Sequence, residues 1–174
     1  KQRHFVAADE TTAYLAAQAA TQAIENATLN AEDIDLIIVA TTTPDNTFPS
    51  TATKVQYQIG ASRAIAFDVQ AVCAGFIYAV DVADAMLRGG RGQRALVIGA
   101  ESFSKLLDWE DRTTCVLFGD GAGAVILEIV EEPSEWGIRS SVLHADGKHR
   151  DILYVDGGPS STNDVGHVRM EGKE

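Results

Sequence analysis

The stretch that decides the fold is AIAFDVQAVCAGFIYAVDVADAMLRGG, residues Ala64–Gly90. It begins with Ala64–Val69, a short apolar run of the length expected for a buried strand. Cys73–Arg88 then shows apolar residues at helical spacing, and Gly89-Gly90 ends the pattern. A strand followed within a few residues by a helix is the repeating unit of parallel sheets, so we predict an α/β fold.

Apolar segments on both sides of this unit continue the alternation. The predicted elements are a helix over Asp9–Ala27, a strand buried on both faces over Ile34–Ala40, a helix from the N-cap Ser50 to Ile59 that Gly60 closes, and a third strand over Arg94–Ala100. The core-facing stripe of the first helix is predicted to hold Leu15, Ala19, Ala23 and Ile24. The order strand–helix–strand–helix–strand predicts a mainly parallel sheet between helices.

The pattern changes after Thr113. Cys115–Val130, CVLFGDGAGAVILEIV, has two apolar arms around a glycine-rich turn. It predicts an antiparallel hairpin at the carboxyl end, which makes the sheet a mixed one of five strands. A separate strand is expected over Ile138–Leu143. FGDGAGA lacks the lysine of a phosphate-binding loop and does not open a helix, so we expect its glycines to permit a tight turn and close backbone packing.

The composition is that of one globular domain of 174 residues. The net charge of -11 argues against binding to nucleic acid or to an anionic membrane, because phosphate neutralisation needs clustered Lys and Arg. No apolar run approaches the roughly 18 residues of a membrane span, and no secretory signal is recognisable. The presence of only two cysteines favours reduced thiols and a cytoplasmic location. Since the chain opens on Lys1 without an initiator Met, we expect a piece of a longer chain.

Cys73 is the candidate nucleophile. It lies four residues past the predicted strand Ala64–Val69, and parallel sheets bind ligands beyond the carboxyl ends of their strands. It also lies at the start of the predicted helix, where free N–H groups and the helix dipole favour an anion such as a thiolate. Gly75 is expected to leave room for a substrate to approach. The stretch AVCAGF therefore matches a strand-to-helix nucleophile turn that has cysteine in place of serine.

The competing interpretation is that Cys73 is a small buried hydrophobe. The helix that follows it is apolar around most of its circumference, so we expect this helix to be largely buried and its first turn to lie deep inside the molecule. Cys115 has neither positional feature of Cys73 and is predicted to be a core residue in an apolar strand. The two cysteines are about forty residues apart and have no nearby histidine, so no zinc site is expected.

Four motifs together resemble one enzyme family. They are TTTPDNTFPSTA (41–52), FDVQAVCAGF (67–76), DRTTCVLFGDGAGAVIL (111–127) and LHADG (143–147). The combination resembles β-ketoacyl-acyl-carrier-protein synthase III, a thiolase-fold condensing enzyme that starts fatty-acid synthesis. The resemblance covers nearly all of residues 1–174, but only about the amino-terminal half of a family member and without the family's first strand and following helix. It implies one incomplete thiolase-like domain, with the carboxyl-terminal catalytic half outside this chain.

The resemblance implies a reaction at Cys73. An acyl-CoA, typically acetyl-CoA, would transfer its acyl group to the Cys73 thiolate. Malonyl-acyl-carrier protein would then lose carbon dioxide, and its carbanion would attack the thioester. The Cys73 N–H is one expected donor to the oxyanion, and the family's second donor comes from a glycine region absent here. Coenzyme A is a substrate, so no cofactor is expected. The resemblance also implies a homodimer in which the Ala64–Val69 strands pair across a two-fold axis.

Two further residues match positions that have roles in the family. Arg112, in DWEDRTT, matches the residue that holds the nucleotide end of coenzyme A, and a guanidinium suits phosphate and adenine contacts. The alternative is an exposed loop arginine paired with Asp111 or Glu110. Phe48 matches the residue that a neighbouring subunit pushes toward the acyl pocket, where its side chain would limit chain length. The alternative for Phe48 is ordinary packing between loop prolines.

The family also uses a His and an Asn from its carboxyl-terminal half. None of this chain's histidines matches the family's catalytic His motif; they are His4, His144, His149 and His167. Three hypotheses follow: synthase III itself, a related CoA-thioester condensing enzyme with another primer or acceptor, and a non-catalytic thiolase-like half. The acidic charge of this chain would repel an acidic carrier protein, and in the family the basic docking patch lies mainly in the other half.

Overall fold

The computed structural model describes residues 2–131 and 136–172. Its helices are α1 (Thr12–Asn26), α2 (Thr51–Ile59) and α3 (Gly75–Arg88). Its strands are β1 (Leu36–Ala40), β2 (Ile65–Val69), β3 (Arg94–Glu101), β4 (Gly121–Glu128), β5 (Leu153–Val155) and β6 (Val168–Met170). Short 3₁₀ turns lie at Ala31–Asp33, Val72–Ala74, Phe103–Leu106 and Gly147–His149. Within the described ranges, every helix is too short or too polar to cross a bilayer.

Four strands form one mixed sheet in the order β2-β1-β3-β4. β1 pairs in parallel with both β2 and β3, so that Ile38 lies between Phe67 and Val97. β4 runs antiparallel to β3, and β5 and β6 form a separate antiparallel pair. The predicted α/β class with a mainly parallel sheet is therefore confirmed.

Helices cover both faces of this sheet. α1 and α2 pack against one set of alternating strand residues, which includes Ile37, Val39, Leu96 and Ile98. α3 packs against the opposite set, which includes Leu36, Ile38, Ala95 and Val97. Central strand β1 is buried on both faces, as predicted. The carboxyl ends of the three parallel strands lie together at one edge of the sheet, which we call the carboxyl rim.

The helix boundaries follow capping residues that the sequence displays. α1 starts after Thr11, whose hydroxyl accepts a hydrogen bond from the Tyr14 N–H at 3.2 Å, three residues later than predicted. α2 starts after Ser50, whose hydroxyl accepts from the Thr53 N–H at 3.3 Å. It ends at Gly60, where φ is +81°, a conformation that glycine adopts without steric cost. The predicted α2 is therefore confirmed at both ends.

The core-facing stripe of α1 is different from the predicted one. Its buried residues are Thr12, Ala13, Ala16, Ala17, Ala20 and Ile24, of which only Ile24 was expected. Leu15, Ala19 and Ala23 instead line an open groove beside β4. The phase of the pattern was ambiguous because alanine occurs on every side of this helix.

The prediction that β2 is a buried strand is wrong. β2 lies at the edge of the sheet with only β1 beside it, and Ile65 is 44% exposed. A short apolar run has the same appearance in a central strand and in an edge strand, so the sequence alone could not distinguish them.

The predicted hairpin over Cys115–Val130 is not formed, so the main sheet has four strands in the described residues instead of five. The second arm is β4, which pairs with β3. The first arm forms turns, and Arg3 Nη1 donates to its carbonyl groups at Cys115 (2.6 Å) and Phe118 (2.8 Å). The close packing expected of the glycines occurs at Gly119, where a Cβ would lie 3.1 Å from the His4 carbonyl oxygen.

The strand expected over Ile138–Leu143 is also absent. This segment runs along the outer side of α3. Three hydrogen bonds attach it there: Arg88 to the Ile138 carbonyl at 3.2 Å, Ser141 to Asp81, and Tyr78 to the His144 carbonyl at 3.3 Å. Contacts to helix side chains at successive turns hold the segment beside a helix, where no strand is available to pair with it.

A small second core lies under the β5–β6 pair. It contains Leu106, Leu107, Cys115 and Val168. Cys115 is 7% exposed, which confirms that it is a core residue, although it lies in a turn instead of a strand. Arg169 of β6 forms an ion pair with Asp156, which directly follows β5, at 2.6 Å. It forms a second ion pair with Asp108 in the loop after β3, at 3.3 Å.

Candidate active site

Three connections leave the carboxyl rim: the loop 41–50 after β1, the turn 70–74 after β2 and the loop 102–120 after β3. Each carries one of the residues that the sequence singled out, namely Phe48, Cys73 and Arg112. Ligands bind at this edge in open parallel sheets. The three residues therefore lie on three separate connections that all leave the same edge of the sheet.

The backbone around Cys73 is sharply turned. Cys73 lies in the 3₁₀ turn Val72–Ala74, two residues before α3 begins. The N–H groups of Ala74 and Gly75 donate to carbonyl groups within this turn. Val72 has φ of +47°, a left-handed conformation that is a rare outlier for a β-branched residue. Such strain is concentrated at functional sites. Sequence analysis missed Val72, because nothing in an ordinary apolar residue signals its φ.

The thiol of Cys73 is exposed. Within this chain, the expected deep burial of this turn is not observed, and Cys73 is not a buried hydrophobe. α3 turns one stripe toward the sheet, consisting of Gly75, Ala79, Ala83 and Leu87. On its outer side Ile77 is 55% exposed. Part of the apolar surface of α3 is therefore left exposed by the rest of this chain.

Gly75 has a packing role, whereas the sequence suggested space for a substrate. It is buried, and a Cβ at this position would lie 3.4 Å from the Ala40 Cβ. A Cβ on Gly99 of β3 would likewise lie 3.4 Å from the Phe76 ring. These two glycines let the start of α3 approach the ends of β1 and β3 closely, which fixes Cys73 at the rim.

The loop 41–50 holds Phe48 out into solvent. Phe48 is 83% exposed, so its alternative interpretation as ordinary packing does not apply within this chain. At the start of the loop, the Glu101 carboxylate accepts hydrogen bonds from the Thr42 N–H at 2.8 Å and the Thr43 hydroxyl at 2.6 Å. Beyond its end, the Asp68 carboxylate accepts from the first two N–H groups of α2, both at 2.7 Å.

Arg112 is exposed and has no hydrogen bond or ion pair with any residue that the structure describes. The neighbouring Asp111 is occupied by Thr113, which donates from its hydroxyl at 2.6 Å and its N–H at 2.9 Å, and by the Thr114 hydroxyl at 2.8 Å. These bonds, above all that from the Thr113 hydroxyl, lower the pKa of Asp111 below its ordinary value. The alternative in which Arg112 pairs with Asp111 or Glu110 is therefore wrong.

Among the described residues, no histidine forms a hydrogen bond with Cys73. Two shallow grooves lie elsewhere on the surface. One, of about 280 Å³, lies between α1 and β4, and the other, of about 410 Å³, lies along one flank of α3 around Val82 and Met86. Across residues 2–131 and 136–172, no group of three His, Cys, Asp or Glu residues could hold a metal ion.

Comparison with known proteins identifies relatives along the whole chain. The family described as 3-oxoacyl-[acyl-carrier-protein (ACP)] synthase III matches residues 67–147, the range that contains Cys73 and Arg112. The β-ketoacyl-[acyl-carrier-protein] synthase III of Erythrobacter litoralis is 62% identical over 175 residues, covering 100% of this chain and 54% of the relative. The chain thus spans about half the length of the curated relatives it matches.

Solved structures agree with this result. The 3-oxoacyl-[acyl-carrier-protein] synthase III from Aquifex aeolicus is 46% identical with a TM-score of 0.88, covering 98% of this chain and 52% of that one. The priming β-ketosynthase from the R1128 polyketide pathway is 31% identical with a TM-score of 0.89, over the same shares of 98% and 52%. The fold and the matches define the class as a thiolase-like half. Within this class, the chain is similar to β-ketoacyl-acyl-carrier-protein synthase III enzymes and matches about half of their length.

Proposed function

We propose that this chain is the amino-terminal part of a synthase that starts fatty-acid synthesis, and that Cys73 is its acyl-accepting nucleophile. One observation carries the proposal. The Cys73 thiol is exposed on a strained turn beyond the carboxyl end of β2, in a chain that is 62% identical to a β-ketoacyl-[acyl-carrier-protein] synthase III. An accessible thiol on a backbone that packing holds in place is what a nucleophile requires.

The first step is acyl transfer. The Cys73 thiolate attacks the carbonyl carbon of acetyl-CoA or a similar short acyl-CoA, a new carbon–sulfur bond forms, and the coenzyme A thiolate leaves. In the second step malonyl-acyl-carrier protein loses carbon dioxide. The resulting carbanion attacks the acyl-Cys73 thioester, the Cys73 thiolate leaves, and β-ketoacyl-carrier protein is released. The N–H of Cys73 is one donor to the oxyanion in both steps.

The His and Asn that assist decarboxylation lie, in this proposal, in the part of the synthase outside this chain. Two observations support this assignment. No described histidine hydrogen-bonds to Cys73, and the outer side of α3 leaves apolar residues such as Ile77 uncovered. A second half that packs against α3 would bury these residues and would complete the walls of the site. It would also supply the basic surface that an acidic carrier protein needs, since this chain has a net charge of -11.

Arg112 and Phe48 are the proposed substrate-binding residues. Arg112 is free to contact the phosphates of coenzyme A, because its neighbour Asp111 is already occupied by Thr113 and Thr114. Phe48 extends from this subunit toward the acyl pocket of a neighbouring subunit, where it limits chain length. The free edge of β2, with Ile65 44% exposed, supports the pairing of two β2 strands in a homodimer.

Intact-mass spectrometry after incubation with acetyl-CoA tests the nucleophile. The protein is a completed synthase, in which the remaining parts of the Erythrobacter litoralis relative complete this chain. We expect one acetyl group per chain, which is lost in Cys73→Ser and kept in the matched Cys115→Ser variant, because Cys115 is buried. A completed synthase that binds its partner half and forms no adduct with any acyl-CoA would identify a non-catalytic scaffold instead.

The choice of acceptor separates synthase III from a related condensing enzyme. The completed synthase is acetylated on Cys73 and then given malonyl-acyl-carrier protein or malonyl-CoA. Faster condensation with the carrier protein supports the proposal. Faster condensation with malonyl-CoA assigns the chain to an enzyme with another acceptor, and leaves the role of Cys73 intact.

A further inference from the structure

We propose that the Lys54–Asp45 ion pair positions Phe48 and thereby sets the length of the acyl primer that the synthase accepts. This inference rests on the proposed role of Phe48 at the acyl pocket. It assigns a selectivity function to two residues that would not touch the substrate. Lys54 and Asp45 are therefore positioning residues.

Asp45 connects the loop 41–50 to two helices. Its Oδ1 accepts a hydrogen bond from the Ala13 N–H in the first turn of α1 at 3.0 Å. Its Oδ2 lies 3.2 Å from Lys54 Nζ on α2. Lys54 also donates to the side-chain oxygen of Asn46. One lysine thus holds two consecutive loop residues against the helix that follows the loop.

The pair is protected from solvent. The Lys54 side chain is 28% exposed and that of Asp45 is 12% exposed. A fully exposed ion pair contributes little, because water and salt screen it. Partial burial strengthens the attraction and restricts both side chains, so this pair can hold a loop in one conformation.

Phe48 lies in the short part of the loop that has no other anchor. Within the described chain, residues 47–49 form no hydrogen bond, whereas Asn46 before them is bound to Lys54 and Ser50 after them caps α2. The direction in which the Phe48 ring extends is therefore set by the positions of Asn46 and Ser50. Loss of the lysine frees the first of these two positions and leaves the second in place.

The contacts at the two ends of the loop have a different role. Glu101 and Asp68 hold the loop to the sheet and to the start of α2, and their loss would disturb the fold itself. Loss of the Lys54–Asp45 pair keeps both ends anchored. We therefore expect its removal to widen the range of Phe48 positions while the rest of the protein stays folded.

The test measures kcat/KM for acetyl-CoA and for hexanoyl-CoA, with malonyl-acyl-carrier protein as acceptor, in the completed synthase. The variants are Lys54→Met, which keeps the apolar stem and removes the charge, and Asp45→Asn, which keeps an acceptor for the Ala13 N–H. Phe48→Ala and the double variant of Phe48→Ala with Lys54→Met complete the cycle. Glu128→Gln is the matched control, because it breaks the Arg94–Glu128 ion pair at the opposite end of β3.

We expect Phe48→Ala to raise the hexanoyl-to-acetyl ratio of kcat/KM about tenfold or more, the scale on which pockets discriminate chain length. Lys54→Met should raise the same ratio about threefold. Asp45→Asn should raise it by a smaller factor, because Lys54 can still donate to Asn46, and Glu128→Gln should leave it unchanged. In the Phe48→Ala background Lys54→Met should have no further effect on the ratio, because the pair acts through the Phe48 ring.

Three results would overturn the inference. Lys54→Met and Asp45→Asn could lower both rates equally, which would mean that the pair only stabilises the fold. Lys54→Met could change the ratio just as much without the Phe48 ring, which would mean that the pair acts by another route. Finally, Phe48→Ala could leave the ratio unchanged; that result removes the proposed role of Phe48, while acetylation of Cys73 would still support the proposed function.

Discussion

Replacement of Asp68 by alanine should destabilise the protein by about 2–3 kcal/mol. The Asp68 carboxylate accepts hydrogen bonds from the Thr51 and Ala52 N–H groups, both at 2.7 Å. Hydrogen bonds to charged groups contribute about 1.5–3 kcal/mol each, and the low end applies here because one half-buried carboxylate serves both donors. Asp68→Ala also removes a negative charge from the positive end of the α2 dipole. Asp68→Asn keeps one acceptor oxygen and should cost about half as much.

Urea unfolding followed by far-ultraviolet circular dichroism measures the effect. With a slope of about 2–3 kcal/mol per molar urea, the midpoint of Asp68→Ala should fall by about 1 M. The control is Asp9→Ala on the exposed amino-terminal segment, which should stay within about 0.5 kcal/mol of the parent. If Asp68→Ala unfolds at the same urea concentration as Asp9→Ala, the two hydrogen bonds do not hold α2 to the sheet and our account of the loop 41–50 is wrong.

Two other perturbations have expected outcomes. Gly92→Ala should lower the free energy of unfolding by about 1–3 kcal/mol in the same urea assay, because φ is +149° and a Cβ would lie 2.4 Å from the Asp35 Cβ. Gly90→Ala is the control: φ is +74° but the space around it is open, so the loss should be smaller. Arg169→Gln should reduce stability above pH 4 and flatten its loss in acid. Hydrogen bonds from the backbone and then from Arg169 lower the pKa of Asp108 and Asp156, so their contribution is complete above the ordinary value of about 3.8 and is lost as pH falls through the lowered values. Urea midpoints measured from pH 7 to pH 2 check this, and an unchanged acid slope would contradict it.

The sequence predicted those elements in which local signals agree. Ser50 and Gly60 bracket α2 because a hydroxyl cap and a residue that tolerates positive φ act within one helix turn. β1 was recognised because Ile34–Ala40 is apolar on both faces and too short for a helix. The position of Cys73 between a strand and a helix was predicted in the same way, whereas its role as a nucleophile stays a prediction.

The remaining features depend on what surrounds each segment. The apolar run of β2 predicted burial, yet β2 lies at an edge, because the number of neighbours of a strand is a property of the whole sheet. Cys115–Phe118 has the composition of a strand, but it forms turns whose carbonyl groups accept from Arg3, more than one hundred residues away in sequence. The positive φ of Val72 could not be predicted either, since nothing in the residue type signals it.

The position of Glu101 has a consequence for how substrates can enter. Its carboxylate holds Thr42 and Thr43, while Thr43 in turn accepts from the Ser102 N–H at 2.8 Å. Hydrogen bonds therefore join the connection that carries Phe48 to the connection that leads to Arg112 where both leave the sheet. Neither connection can move away from the sheet on its own at this point without breaking these hydrogen bonds. Substrate entry to Cys73 therefore cannot depend on either connection opening alone where it leaves the sheet.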